Sequence, residues 1–143
     1  MTAVSDREAT FVLPASEWLS AAPPGRVQGG AIALLADAAL STAIQTTLPA
    51  RTALSPIDLK VNYLRPLASD GREATARGTV YHAGRRIAVA HAAVHDADGK
   101  RVALATGSAM ILPGRTASLA SVEDATPDDG DPQPRLASTQ DPA

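Results

Sequence analysis

At 143 residues, the chain has room for one domain with a single hydrophobic core. The net charge of −2, with no basic stretch interleaved with aromatic residues, argues against a nucleic-acid binder, and the absence of cysteine excludes disulfides and cysteine-bound metals. The first ten residues lack the basic and apolar regions of a secretory signal, and the apolar run from Ala31 to Ile44 is too short to span a membrane and contains Asp37. We therefore expect no membrane segment and a cytoplasmic location.

The first predicted elements are a strand and a long helix. The strand runs from Glu8 to Pro14. The helix runs from Gln28 to Leu48, because a glycine pair opens it, alanines and leucines fill it, and Pro49 ends it. Its apolar residues nearly encircle the axis, so we expect other elements to surround it.

Four further strands are predicted after the helix. In the first of them, from Ile57 to Tyr63, apolar residues alternate with polar ones. The other three are expected at Arg72–Tyr81, Arg86–Asp96 and Arg101–Leu112. We expect hairpins to join these strands for the most part, with turns at Asp70-Gly71, Ala83-Gly84 and Asp98-Gly99. This order predicts an α+β protein in which an antiparallel sheet of about five strands curls around one long central helix, which is the hotdog fold.

The composition changes near residue 114. Residues 115–143 are rich in Pro, Ser and Asp and hold six acidic residues against two arginines. Such a segment cannot bury enough apolar surface to offset its ordering entropy, so we predict a disordered acidic tail after a folded domain of residues 1–114. Without the tail, the domain has 11 basic and nine acidic groups, a small positive excess.

Two segments of the predicted domain resemble the PaaI-like acyl-CoA thioesterases of the hotdog superfamily. The first is Gln28-Gly29-Gly30 followed by an Ala-Leu-Leu-Ala-Asp37 run, and the second is Asp58-Leu-Lys-Val-Asn-Tyr-Leu-Arg-Pro66. The Gly84-Arg-Arg turn and the strand ending in Ala103-Leu-Ala-Thr106 also fit the pattern. The similarity covers about residues 8–114, essentially the whole predicted domain.

The resemblance implies hydrolysis of an acyl-CoA thioester without a metal or a cofactor, coenzyme A being part of the substrate. In such enzymes the acid on the central helix, here Asp37, acts as general base or nucleophile. The backbone N–H of the first glycine, here Gly29, polarises the thioester carbonyl. The family is also built on homodimers, often paired into tetramers.

Three positions depart from the family pattern. Gln28 stands where the family usually has His, and Ala22 stands where an Asn is common. A Ser or Thr that helps to place the water is expected at Pro56, with Ser55 one step off. The residues proposed to bind the substrate are Gln28, Gly30, Ser55, Arg65, Arg85 and Arg86.

The candidate catalytic residues each have a structural alternative. A carboxylate on an apolar helix is costly to bury unless it is paired, so Asp37 either accepts a bond from Ser41, one turn on, or faces a cleft and removes a proton from water. The glycine pair either permits a crowded helix start or offers free N–H groups to an oxyanion. Both interpretations remain open at this point.

The spacing of Gly29 and Asp37 predicts a shared site. Eight residues separate them, which is about 12 Å along one helix. An oxyanion donor must lie about 3 Å from the carbonyl oxygen, and the acid must reach a water or the carbon beside it. One helix cannot easily supply both, so we expect the two groups to come from different copies of the chain at a two-fold interface.

The remaining basic residues are weaker indicators of a ligand site. Arg65, Arg85 and Arg86 lie at predicted strand ends or turns, where they could bind the phosphates of coenzyme A or simply stay solvated. His91 and His95 would lie about 13 Å apart on a strand, too far for one metal ion. The function hypotheses are thus a thioester hydrolase first, a non-catalytic acyl-CoA or acyl-carrier binding protein second, and a hotdog hydratase or dehydratase last.

Overall fold

The computed structural model describes residues 1–21 and 23–116. The helices and strands follow in the order β1 (Ala3–Ser5), β2 (Glu8–Pro14), a short 3-10 helix η1 (Glu17–Leu19), α1 (Gly29–Gln45), β3 (Thr52–Tyr63), β4 (Glu73–Ala83), β5 (Ile87–His95) and β6 (Arg101–Thr116). The strands form one six-stranded antiparallel sheet in the order β1-β2-β4-β5-β6-β3. One helix packed on such a sheet confirms the predicted hotdog arrangement.

Most predicted elements are present, with different ends. The structure adds β1, which the sequence did not indicate, and begins β3 at Thr52, five residues before the predicted Ile57. The helix ends at Gln45, and hydroxyls rather than Pro49 close it, because the Thr46 side chain donates to the Ala43 carbonyl at 2.7 Å. Apart from the last two residues of β6, Arg115 and Thr116, the predicted acidic tail lies outside the described residues.

One predicted hairpin is wrong. Gly71 does adopt a positive φ, but β3 and β4 are not neighbours, since β4 pairs with β2 and β5 while β3 pairs with β6. The Asp-Gly pair therefore belongs to a connection that carries the chain from the edge of the sheet to its interior. A turn signal reports local backbone conformation, whereas the pairing of β4 is decided by residues far away in the sequence.

Among the described residues of one protomer, the helix is covered on one side only. Its buried residues are Ile32, Leu35, Ala36, Ala39, Leu40, Ala43 and Ile44, which recur at helical spacing and face the sheet. On the opposite side, Leu34 is 68% exposed. For residues 1–21 and 23–116 of one protomer, the expectation of a surrounded helix is therefore wrong, since small alanines make the sequence look apolar on every side.

The helix lies unusually close to the sheet at Gly78 of β4. A Cβ atom at that position would lie 2.3 Å from the carbonyl oxygen of Ala39, well inside van der Waals contact. Alanines dominate the surrounding layer, and Ala36, Ala39 and Ala43 are all completely buried. This tight layer fixes the position of α1, and hence of both candidate catalytic groups, relative to the sheet.

Candidate active site

The start of α1 presents open backbone donors. Gln28 is the N-cap residue; its backbone N–H donates to Leu19 at 2.7 Å, and its side chain makes no capping bond. Within the described residues, the N–H groups of Gly29 and Gly30 reach no acceptor, while that of Ala31 already bonds the Gln28 carbonyl at 3.0 Å. Two free N–H groups at the positive end of a helix are suited to an oxyanion.

Tyr63, the last residue of β3, lies over this helix start. Its hydroxyl donates to the Gly29 carbonyl at 2.8 Å. A Cβ atom at Gly29 would lie 3.1 Å from the tyrosine ring, whereas one at Gly30 would meet nothing within 4 Å. Close approach of the ring therefore favours glycine at position 29, but no contact of that kind restricts position 30.

A cavity of about 430 Å3 opens beside the helix start. Its walls include Gly29, Tyr63, Arg65 and Arg26, together with the apolar side chains of Val27, Ile32, Leu64 and Leu67. Arg65 is exposed and donates to the Arg101 carbonyl at 2.7 Å. Arg26 has no feature in the sequence that distinguishes it from other arginines, and only the fold brings it to this cavity.

Asp37 lies on the side of α1 that faces away from the sheet. It is partly buried, and it shares this side with Leu34, one turn before it, and with Ser41, one turn after it. The Ser41 hydroxyl donates to one carboxylate oxygen at 3.4 Å, which is long for such a bond. No other donor among the described residues reaches Asp37, so the carboxylate keeps most of its capacity to accept hydrogen bonds.

The other predicted substrate-binding residues do not gather at one place. Gln28 and Gly30 are exposed beside Gly29, but Ser55 pairs with exposed Met110, between buried Ala109 and Ile111, and so points away from the helix. Pro56 pairs with buried Ala109 but is itself exposed, and the register shifts after it, between Pro56 and Asp58. Ala22, the position where an Asn is common in the family, lies outside the described residues.

The three predicted arginines occupy two ends of the sheet. Tyr63 and the adjoining Arg65 lie at the Ala103 end of β6, while Arg85 and Arg86 lie in the β4–β5 turn, beside Met110. Seven residues of β6 separate these ends, which is about 23 Å. Within one protomer the arginines therefore cannot act as one group.

A separate ion-pair cluster joins two turns near the helix start. Arg72 donates to Asp70 and to Asp98, each at 2.8 Å. These hydrogen bonds lower the pKa of both carboxyl groups and raise the pKa of the Arg72 guanidinium. All three groups are solvent-exposed, so the cluster holds the surface turns and is not a candidate for proton transfer.

The described part of the chain shows neither a cluster of metal ligands nor a membrane-spanning helix. His91 and His95 lie on β5, the strand predicted for them, and within residues 1–21 and 23–116 no three His, Cys, Asp or Glu side chains are grouped as metal ligands. Among the helices described, none is long and apolar enough to cross a membrane.

These features define a hotdog-fold protein of the thioester hydrolase class. Residues 24–103 match the family model described as the thioesterase superfamily. The chain belongs to the thioesterase superfamily and is a thioester hydrolase, and its resemblance to PaaI-like proteins is confirmed. No curated protein matches the chain.

Solved structures support the same assignment. A mutant of the phenylacetic acid degradation protein PaaI from Thermus thermophilus is 28% identical, covers 78% of this chain and 90% of that chain, and superposes with a TM-score of 0.70. A Bacillus halodurans protein solved with CoA is 26% identical over 74% of this chain and 68% of that chain, with a TM-score of 0.68. The PaaI protein of E. coli, at 24% identity, 78% and 76% coverage and a TM-score of 0.68, supports the fold.

Proposed function

We propose that this protein is an acyl-CoA thioesterase whose Asp37 activates water, or attacks directly, while the Gly29 N–H polarises the thioester carbonyl. The observation that carries the proposal is the pairing of open N–H groups at the start of α1 with an accessible carboxylate further along its outer side. Hydrolysis releases CoA and a carboxylic acid. The negative charge that develops on the carbonyl oxygen is stabilised by the N–H group and the helix dipole.

The site is shared between two copies of the chain. Gly29 and Asp37 are about 12 Å apart along one rigid helix, so each needs a complement that one protomer does not supply. Across a two-fold axis, Asp37 of one protomer faces Gly29 of its partner, and the dimer has two equal sites. The dimer is then required for catalysis, and pairing of dimers into tetramers is compatible with it.

Strand β3 is the surface proposed for this contact. It is a 12-residue edge strand with one paired side. Its exposed apolar residues include Ile57 at 52% and Leu59 at 37%. A long, open, partly apolar edge is a template for strand pairing. Because Pro56 lacks an N–H, we assign the pairing to the regular part, from Asp58 to Tyr63.

Antiparallel pairing of two β3 strands also regroups the arginines. The two-fold axis reverses the partner, so the partner's Arg85 and Arg86 come to the end of the sheet where Gly29 and Arg65 lie. Arginines on both sides of the cleft suit the phosphates of coenzyme A. Gln28 and Gly30 border the carbonyl position. Coenzyme A enters as part of the substrate, and a cytoplasmic location stays a prediction.

Two substitutions at Gly29 test whether its N–H group is needed for catalysis. Gly29 is the first helical residue, where proline is tolerated, and Gln28 already has the extended backbone that precedes proline. Gly29→Pro thus removes the N–H, while Gly29→Ala is its matched control, since both add a Cβ against Tyr63 and only proline lacks the donor. We expect Gly29→Pro to lose about 10²- to 10³-fold more kcat than Gly29→Ala.

Complementation then separates a shared site from a site within one protomer. Inactive Asp37→Asn and inactive Gly29→Pro are unfolded together, refolded at equal concentration and assayed with acyl-CoA and a thiol reagent. Random pairing gives hybrid dimers with one intact site, so about a quarter of the wild-type activity returns. Activity that stays at the level of the separate variants, or an active monomer by light scattering, contradicts the shared site. Ligand binding by the wild type without turnover contradicts hydrolysis itself.

A further inference from the structure

Tyr63 contacts α1 at the Gly29–Gly30 peptide, which carries the second of the two open N–H groups at the helix start. Its hydroxyl donates to the Gly29 carbonyl at 2.8 Å, and its ring lies 3.1 Å from where a Cβ atom at Gly29 would be. The Gly29 carbonyl belongs to the same peptide plane as the Gly30 N–H. Donation to that oxygen polarises the peptide and strengthens its N–H as a donor.

We propose that Tyr63 is a positioning residue that fixes and polarises the Gly29–Gly30 peptide, so that the Gly30 N–H acts beside the Gly29 N–H on the thioester oxygen. This inference rests on the proposed function and adds a residue to it. The helix start has no side-chain cap of its own, since Gln28 makes none, and the backbone bond to Leu19 holds only the residue before Gly29. Tyr63 supplies the missing restraint from the strand side.

Tyr63 also connects this peptide to the edge of the sheet. It is the last residue of β3, and its register partner on β6 is Ala103, which is buried. The strand that we assign to the dimer contact thus ends on the residue that holds the peptide of the Gly30 N–H. The Tyr63 side chain therefore couples formation of the dimer to the orientation of the N–H groups at the start of α1.

The first test is a conservative pair of substitutions. Tyr63→Phe removes only the hydroxyl, and Tyr81→Phe is the matched control, because Tyr81 is 80% exposed. A hydrogen bond of ordinary net strength predicts that Tyr63→Phe lowers kcat about three- to ten-fold and changes KM by less than about two-fold. Tyr81→Phe should leave both parameters at the wild-type value. Equal kcat in the two variants, or a loss confined to KM, overturns the proposal.

A double-mutant cycle distinguishes positioning from a general effect on folding. Gly29→Ala pushes against the tyrosine ring, so the hydrogen bond should already be weakened in that background. Adding Tyr63→Phe to Gly29→Ala should then cost less than about two-fold in kcat. Simple additivity of the two losses means that Tyr63 acts independently of the Gly29 peptide, which also overturns the proposal.

Amide resonances provide a readout that does not depend on turnover. In ¹⁵N–¹H spectra of the intact protein, Tyr63→Phe should shift the Gly30 amide proton upfield, because its peptide loses polarisation. Tyr81→Phe should leave that resonance in place. An unshifted Gly30 amide rejects the positioning role. Lack of acyl-CoA hydrolysis by the wild type rejects the proposed function, and the resonance still decides whether Tyr63 holds the helix start.

Discussion

The two sides of α1 differ in what they contact. The inner side, formed by Ile32, Leu35, Ala36, Ala39, Leu40, Ala43 and Ile44, is buried against the sheet. The outer side, formed by Gly30, Leu34, Asp37 and Ser41, is open or only partly covered. The two sides of one helix can therefore serve different purposes. Substitutions on the inner side should change packing and hence the free energy of unfolding, whereas substitutions on the outer side should change the groups that contact the substrate.

Asp37→Asn should give the largest effect and should act on chemistry alone. The amide keeps the size of the carboxylate but cannot accept the proton, so we expect kcat to fall about 10²- to 10⁴-fold. Because the outer side contributes little packing, the free energy of unfolding should change by less than about 0.5 kcal/mol. Steady-state kinetics measure the fall in kcat, and thermal melts measure the change in stability. An active Asp37→Asn enzyme would remove Asp37 from the mechanism.

A matched pair of leucines compares the two sides through stability. Leu40 is 2% exposed and Leu34 is 68% exposed. Leu40→Ala should lower the free energy of unfolding by about 2–5 kcal/mol, since it leaves a cavity in the tight layer. Leu34→Ala should cost much less, and any loss should diminish at higher protein concentration if a second protomer covers that side. Urea titrations at two protein concentrations measure the free energy of unfolding of both variants. A larger loss for Leu34→Ala than for Leu40→Ala would contradict this comparison.

A matched pair of glycines tests how closely the inner side approaches the sheet. A Cβ at Gly78 would lie 2.3 Å from the Ala39 carbonyl, whereas one at Gly30 would meet open space. Gly78→Ala should therefore lower the free energy of unfolding by about 1–3 kcal/mol. Gly30→Ala should be neutral or stabilising by up to about 1 kcal/mol, because alanine favours the helix. Equal stabilities in denaturant titrations would mean that the helix can move away from β4 without cost.

The sequence predicted the elements better than their partners. Strand β2 and the start of α1 follow from local signals, namely alternation, the glycine pair and the apolar run. The connection after Tyr63 was mispredicted as a hairpin, because Asp70-Gly71 fixes a turn but not which strand lies beside it. The outer side of α1 was mistaken for a covered one, since alanine is compatible with both environments.

The candidate site was predictable only in part. Asp37 and Gly29 are visible in the sequence as a charge in an apolar run and a glycine at a helix start. The role of Tyr63 was not predictable from the sequence, because its contact with Gly29 spans 34 positions and depends on the fold. Arg26 carries no local signal at all, and its place in the cavity follows from the loop that precedes the helix.

Ser41→Ala should give the smallest effect, and it decides between the two interpretations of Asp37. If the carboxylate is mainly a structural acceptor, Ser41→Ala should destabilise the helix, and Asp37→Ala should cost less stability in the Ser41→Ala background than in the wild type. The 3.4 Å separation argues for a weak contact instead. We therefore expect Ser41→Ala to change the free energy of unfolding by less than about 0.5 kcal/mol and kcat by less than about three-fold. A larger loss of stability together with unchanged turnover would favour the structural interpretation, because a carboxylate that works as a base needs freedom to take up a proton rather than a fixed hydroxyl partner.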